Sequence, residues 1–371
     1  TTLGGTWDGV VFRLDATCST LGWSTFIGGS GADGAYSLRV NASGEVFCTG
    51  VTCSSDFPAT IGTYGVTNSG GTSDGFVARF DNTGSTLVAA TYFGTVGSEI
   101  CYFIDLDTSG NPYVFGSTTG SMPVTPGVYS NAGAGNFITK FDPALVSLQF
   151  STVFGAGPAS YLEPEAFMVD AFGNIYCSGF NSQATYPVSA NALYPTQASA
   201  WGGSCYFLVL STNATQLTFG SFYSGWHVDG GTSRFSPSGE LYQGICIGSG
   251  GAPTPAWAYK NNVNAPSWDI YVVKISFEMS VGMEQLADES DLTVQVIPNP
   301  AGAESHADIC SSNSELMQLR IYNSLGQLIW NESVESSGSN TRVPLPHLEA
   351  GQYVIEVVQD DNVSRNRFIT L

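Results

Sequence analysis

Along most of this chain apolar and polar residues alternate in short runs cut by Gly, Asn, Asp and Pro, the pattern of many brief β-strands joined by tight turns. The runs recur. Asp8-Gly9-Val10-Val11-Phe12-Arg13-Leu14 returns as Asp74-Gly75-Phe76-Val77-Ala78-Arg79-Phe80 and as Gly135-Asn136-Phe137-Ile138-Thr139-Lys140-Phe141, with weaker copies at 204–210 and 269–275. A glycine at what reads as the end of an apolar strand (Gly50, Gly116, Gly179, Gly244) repeats at intervals of 66, 63 and 65 residues, followed by a proline at Pro58, Pro123, Pro187 and Pro253. In the clearest unit the pattern predicts strands over 101–105, 112–116, 136–141 and 148–154. The first two are joined by Asp107-Thr108-Ser109-Gly110-Asn111, echoed at 41–45, 170–174 and 236–240. Glycine there suits a turn position of positive φ, and the leading Asp, Asn or Ser accepts hydrogen bonds from the turn backbone. A long loop carrying the proline separates the second strand from the third.

A four-stranded sheet that is apolar on both faces needs like neighbours to cover it, and radial packing of such sheets is a β-propeller. A linear solenoid has shorter rungs, and a sandwich does not require this period. The expected fold is therefore all-β: propeller blades made of four-stranded antiparallel repeats of about 65 residues over 1–277, followed by a small Ig-like β-sandwich. Gly4-Gly5-Thr6-Trp7-Asp8 matches Gly70-Gly71-Thr72-Ser73-Asp74, so the chain is expected to start in mid-unit. The inventory is then two outer strands of one blade, three complete blades and most of a last one ending near Ile275, with further blades expected upstream of Thr1.

Composition shifts after Phe277. Residues 278–291 are acidic, lack strand alternation and read as a linker. Alternation resumes in 292–297, stops at Pro298-Asn299-Pro300, and returns in a hairpin, 317–322 and 327–330, around Asn323-Ser324-Leu325-Gly326. A second pair, 352–358 and 364–371, completes a small antiparallel sandwich over 292–371.

Charged residues make up only 11% of the chain, against roughly 25% in an average globular protein, which fits strands and turns rather than charged helices. The formal charge is -20 with 11 Lys and Arg in all, which excludes nucleic acid as a partner because phosphate binding needs clustered cations. No apolar stretch is long enough to span a membrane as a helix, no signal-peptide pattern opens the chain, and Thr1 in place of Met is expected of a mature or trimmed product. The eight cysteines (Cys18, Cys48, Cys53, Cys101, Cys177, Cys205, Cys246, Cys310) form no C-x-x-C pair, which disfavours zinc and leaves buried thiols and disulfides equally open.

The order Gly-Gly-Ser-Gly-x-Asp, Ser-Gly-x-Val-x-x-Thr-Gly, Ser-Asp-Phe-Pro and Asp-Gly-Phe-Val-Ala-Arg-Phe, running from Gly28 to Phe80, resembles the SBBP-type β-propeller repeat of bacterial surface proteins. The similarity decays toward Gly251-Ala252-Pro253 and carries no catalytic residues. In the second domain Pro298-Asn299-Pro300-Ala301, then Ile321-Tyr322-Asn323 with Gly326 and Gln327, then Leu348, Ala350, Gly351 and Tyr353, and a terminal Arg367-Phe368-Ile369 strand resemble the type A C-terminal sorting domain of type IX secretion substrates in Bacteroidota. That resemblance implies a sorting signal made of Pro298, Asn299, Pro300, Ile321, Tyr322, Asn323, Gly326, Gln327, Leu348, Ala350, Gly351 and Tyr353. It also implies export across the outer membrane to the cell surface, with the translocon, its shuttle protein and a sortase as partners. The alternative is an Ig-like spacer.

Catalytic patterns are sparse. The three histidines, His227, His306 and His347, stand in no metalloprotease or hydrolase spacing, and a turn or surface role is the commoner use. Asp33, Glu99, Glu163 or Glu165, and Asp229 fall near the start of each blade, where carboxylates usually bond turn amides but, as a ring, would suit calcium or, as a pair, sugar cleavage. Trp7, Trp201, Trp226, Trp257 and Trp268 suit carbohydrate stacking or, more commonly, inter-blade packing. No catalytic or cofactor residue is assigned, and calcium is the one cofactor left open. The expected function is a non-catalytic exported surface module for adhesion, gliding motility or surface assembly, with surface glycans or other surface proteins as ligands. The alternative is a propeller enzyme acting on polysaccharide.

Overall fold

The computed structural model describes residues 3–157, 162–181, 186–197, 204–223, 233–236, 239–248, 268–275, 292–297, 301, 305–311, 313–323, 327–338, 340–349, 351–360 and 362–370. They fall into two compact units, Thr1–Glu278 and Met279–Leu371. Among the described residues the regular structure is β apart from one 3-10 turn at Thr212–Ala214. The linker expected at 278–291 lies outside the described residues.

The first unit opens with a two-stranded sheet, β1 (Gly9–Leu14) and β2 (Leu21–Ile27). Three four-stranded sheets follow: β3 (Asp33–Val40), β4 (Val46–Thr52), β5 (Asp74–Phe80) and β6 (Leu87–Phe93); β7 (Glu99–Leu106), β8 (Pro112–Thr118), β9 (Asn136–Phe141) and β10 (Leu148–Phe154); β11 (Glu163–Val169), β12 (Ile175–Asn181), β13 (Ser204–Leu210) and β14 (Leu217–Tyr223). A three-stranded sheet ends the series, with β15 (Ser233–Phe235), β16 (Leu241–Gly248) and β17 (Trp268–Ile275). Every sheet is an antiparallel meander with its strands in chain order. Among the described residues the series stays open: β1 pairs only with β2 and β17 only with β16, so no closed ring is present.

The turn chemistry follows the sequence. Asn41, Asp107 and Asp170 each accept backbone N–H bonds from the residues two and four places on, Ser43 and Glu45, Ser109 and Asn111, Phe172 and Asn174, at 2.9–3.0 Å. The turn glycines Gly44, Gly110, Gly173 and Gly239 take φ of 81°, 79°, 83° and 84°. The strand glycines differ from expectation. Gly50, Gly116 and Gly179 do not end their strands but lie within them, each opposite a bulge in the first strand of the sheet, at Tyr36, Tyr102 and Glu165. The reason is a close approach: a Cβ on Gly116 would stand 2.3 Å from Ile100 O and 2.4 Å from the Phe137 ring.

The cores lie between sheets. Phe47, Val77 and Phe93 of one four-stranded sheet pack with Cys101, Ile104, Val114 and Phe137 of the next, and Tyr113 and Phe115 with Phe167, Cys177 and Tyr206 of the one after. Successive first strands are also bonded. Arg39 Nε donates to Asp105 Oδ1 at 2.8 Å, Ser37 Oγ accepts from Ile104 N at 3.2 Å, and Val169 N donates to Asp105 Oδ2 at 2.8 Å. The proline loops run along the fourth strands: Thr60 N bonds Ala90 O, Thr125 N bonds Ser151 O and Ser189 N bonds Gly220 O, at 2.8–3.0 Å. Strand edges open to further pairing are covered in this way. The same loops reach the following sheet, with Tyr64 N on Leu145 O at 2.8 Å and Tyr129 N on Ala214 O at 2.7 Å. A cationic clamp recurs as well. Arg79 lies over Phe47 and binds Glu45, Lys140 lies over Tyr113 and binds Asp107, and Lys274 lies over Tyr242 and binds Glu240.

In the second unit β18 (Thr293–Ile297), β19 (His306–Cys310) and β22 (Asn340–Pro344) form one sheet. The other has the order β21 (Leu328–Glu335), β20 (Leu316–Asn323), β23 (Gly351–Gln359), β24 (Asn362–Thr370). Alternate residues Val294, Val296, Ala307 and Ile309 meet Met317, Leu319, Ile321, Ile355 and Val357 in a core of its own, the expected antiparallel sandwich.

Cys18, Cys48, Cys53, Cys101, Cys177, Cys205 and Cys310 are free. Burial pushes the Cys48 and Cys101 thiols up to about 12 and raises those of Cys177 and Cys205 well above the usual range. Because the thiolate is the reactive form, iodoacetamide on the native protein should label Cys18, Cys53 and Cys310 and spare the four buried thiols, as read by peptide mass mapping. Labelling of Cys101 at the rate of Cys18 would contradict the packing. A second expectation concerns the glycines. Gly116→Ala drives a methyl into backbone and should destabilise the first unit by about 1–3 kcal/mol, whereas Gly110→Asn, in open space and tolerant of positive φ, should cost less than about 1 kcal/mol. Equal losses in denaturant titrations would remove the close-approach explanation.

Candidate functional site

Three of the sequence motifs in the second unit meet at one end of its four-stranded sheet. Strand pairing sets Asn323 opposite Tyr353, Tyr322 opposite Val354 and Ile321 opposite Ile355. On the other side of β23, Tyr353 faces Phe368 and Val354 faces Arg367. Ile321 is fully buried. Tyr322 is half-buried, and its hydroxyl donates to Glu356 Oε1 at 3.1 Å. Asn323 closes the hairpin in the manner of the turns of the first unit: its Oδ1 accepts from Gln327 N and its Nδ2 donates to Gln327 Oε1, both at 2.9 Å.

The Leu348–Tyr353 segment is anchored at the same end. Leu348 packs on the core, the Tyr353 ring stacks on Phe368 at 5.7 Å, and the Tyr353 hydroxyl donates to Glu349 O at 3.1 Å. Thr370 Oγ1 also bonds Glu349 O, and Ala301, directly after the Pro-Asn-Pro motif, bridges Thr370 in parallel. Gly351 begins β23. Pro298, Asn299, Pro300, Gly326 and Ala350 lie outside the described residues. Sequence reading missed Glu356, a buried carboxylate held by Arg320 Nη1 at 3.2 Å and by Tyr322; its only sequence signal is an acidic residue amid the apolar run of β23.

Among the described residues the other candidates do not assemble. Asp33 and Glu99 open their strands at equivalent places, whereas Glu163 is exposed, Glu165 is buried at the bulge of β11 and Asp229 lies outside the described residues. Asp33 accepts from Gly29 N and Ser54 Oγ, and Glu99 from Thr95 N and Thr118 Oγ1. His306 sits half-buried 3.6 Å from Asp308, which Arg342 holds below the usual carboxylate range, and His347 is exposed. Trp7 is exposed, while His227, Trp201, Trp226, Trp257 and the Trp268 side chain lie outside the described residues. Among the described residues no three His, Cys, Asp or Glu side chains cluster as a metal site would.

Comparison with known proteins matches residues 295–370 to the family described as the secretion system C-terminal sorting domain. No curated protein sequence matches the chain. Among solved structures, it overlaps Kuenenia stuttgartiensis hydrazine synthase with a TM-score of 0.41 and 10% identity, over 82% of this chain and 71% of that one. An acylaminoacyl peptidase in complex with a chloromethyl ketone overlaps at 0.29 and 8% identity, over 90% and 52%. Latent dimeric PorU from Porphyromonas gingivalis overlaps at 0.21 and 10%, over 91% and 32%. With TM-scores this low, none of the three bears on function. The motif set gathered on β20, β23 and β24 falls inside the matched segment, so residues 295–370 are a type IX secretion sorting domain and the protein is exported by that system to the cell surface or extracellular space.

Proposed function

We propose that 292–371 is a separable address and that the repeat unit is its cargo, a non-catalytic surface module of propeller type used for adhesion, motility or surface assembly. One observation carries the reading: the sorting motifs converge at one end of a sandwich that has its own core, so a receptor can read them together. The translocon and its shuttle protein are the readers, and a sortase removes the domain afterwards. For the cargo, the support is the succession of four-stranded meanders with their cores between sheets, the packing of a propeller, together with first strands that lie side by side. Surface glycans or other surface proteins are the proposed ligands.

The test is transplantation. An inert periplasmic reporter fused to 292–371 should appear outside the cells of a type IX host, and the protein lacking 292–371 should stay in the periplasm. Peptide mapping of the native surface form should place its C-terminus between 279 and 291. Export of the truncated protein, or surface molecules that still carry 367–371, would leave 292–371 a structural sandwich only. Release of sugar products from a glycan panel by the purified protein would overturn the non-catalytic reading of the cargo.

A further inference from the structure

Two junctions between successive sheets of the first unit are built alike. Asp8 and Asp74 hold the same place in the repeat, one residue before Gly9 and Gly75. Asp33 and Glu99 hold another, as the first residues of β3 and β7, opposite Thr52 and Thr118. The carboxylates meet in pairs across a glycine. A Cβ on Gly28 would stand 2.5 Å from Asp8 Oδ1 and 2.8 Å from Asp33 Oδ2, and one on Gly94 would stand 2.1 Å from Asp74 Oδ1 and 2.8 Å from Glu99 Oε2. The facing oxygens of each pair therefore lie against one glycine and no more than about 5 Å from each other, close enough for one ion to bridge them.

Asp8 is half-buried, and the other three acids are buried. Asp74 and Glu99 are fully buried and Asp33 is 5% exposed. Among the described residues no Lys, Arg or His forms an ion pair with any of the four. Gly4 N and Ser69 N donate to the Oδ2 atoms of Asp8 and Asp74, Gly29 N and Ser54 Oγ donate to Asp33 Oδ2, and Thr95 N donates to Glu99 Oε2 while Thr95 Oγ1 and Thr118 Oγ1 donate to its Oε1. The Oδ1 atoms of Asp8, Asp33 and Asp74 have no hydrogen-bond partner and no contact with solvent. Burying such a charge unpaired is costly, and facing it with a second raises the cost.

The next junction shows that the repeat has a neutral alternative. Gly50 pairs with Phe76 and Gly116 with Phe137, which sets Gly135 at the place of Asp74. There the Asn136 amide donates to Leu162 O at 3.0 Å and accepts from Leu162 N at 2.7 Å and the Tyr186 hydroxyl at 2.8 Å. The acidic pairs are thus no requirement of joining two sheets.

We propose that Asp8 with Asp33, and Asp74 with Glu99, each bind a calcium-type divalent cation that fastens one sheet to the next. Calcium takes carboxylate oxygens in flexible geometry and lets water complete its shell, and a site with two carboxylates suits the weak range of extracellular modules, on the order of 10⁻⁴–10⁻³ M. The surface location supplies that ion outside the cell.

The experiment uses the full chain, stripped with chelator and titrated with calcium chloride in equilibrium dialysis at about pH 7.5, with melting of the first unit followed in parallel. Two ions should bind per chain. Asp8→Asn and Asp74→Asn should each remove one, while Asp81→Asn, in an exposed turn, should remove none. Calcium should raise the melting temperature where sodium chloride of equal ionic strength does not. Without calcium a pH profile adds a second readout. Burial, and then the neighbouring Glu99, push the Asp74 carboxyl from 3.8 up to about 6; the other titratable groups beside it are Tyr92 and Cys101. A carboxyl raised in the folded state stabilises it while protonated, so stability should fall as pH rises from about 4 through 6, and calcium should restore it above 6. No bound calcium, with melting unmoved by it at every pH, would overturn the proposal and leave proton sharing within each pair. Should Asp74→Asn fail to fold, the stoichiometry of the unmodified chain and of Asp8→Asn decides.

Discussion

A sheet of short strands with apolar side chains on both faces is unstable alone, and the first unit is organised around that constraint. Every residue of β8, β9 and β13 is buried, and β4 and β5 are buried at all but one position. Only a neighbouring sheet on each side can do this. Where the series ends the pattern reverts: Val10, Phe12 and Leu14 in β1 and Ile270 and Val272 in β17 are exposed. The clamps tie strands within a sheet, while the proline loops and the contacts of Asp105 are polar links from one sheet to the next.

Much of this was legible because the repeat fixes both a residue type and its spacing. The turn acceptors and their glycines read correctly since everything they need lies within five residues. The strand glycines were misread as strand ends, because what demands a glycine there is a bulge in the preceding strand and an aromatic ring in the following one, and neither leaves a local signature. The carboxylates were likewise visible as recurring acids but not as pairs. Asp74 and Glu99 meet because the hairpin of β5 and β6 returns the chain to the end where Asp74 stands, just before Glu99 begins β7, and no short-range pattern reports that. Turn bonding was the commoner role expected of these acids, and Asp33 and Glu99 do accept from nearby backbone amides.

In the second unit the motifs were legible as a set, and the structure explains why they form one. Asn323 closes a hairpin, Leu348 and Tyr353 seat the start of β23, and Phe368 and Thr370 lock the last strand beneath them. The residues are scattered in sequence but adjacent at one end of one sheet. Their conformational jobs are ordinary. What distinguishes the domain is that these jobs are done together, leaving a fixed surface at the motif end.

The central claim is that this chain reaches the outside of the cell by way of its second unit and the type IX machinery. The most direct measurement is protease shaving of intact cells that express the full-length protein, in a type IX host and in its translocon-deficient derivative, with both units followed by mass spectrometry. The account requires peptides of the first unit to be released from the intact host and protected within the periplasm of the derivative. Equal release from both strains would show that another route carries the protein and would contradict it.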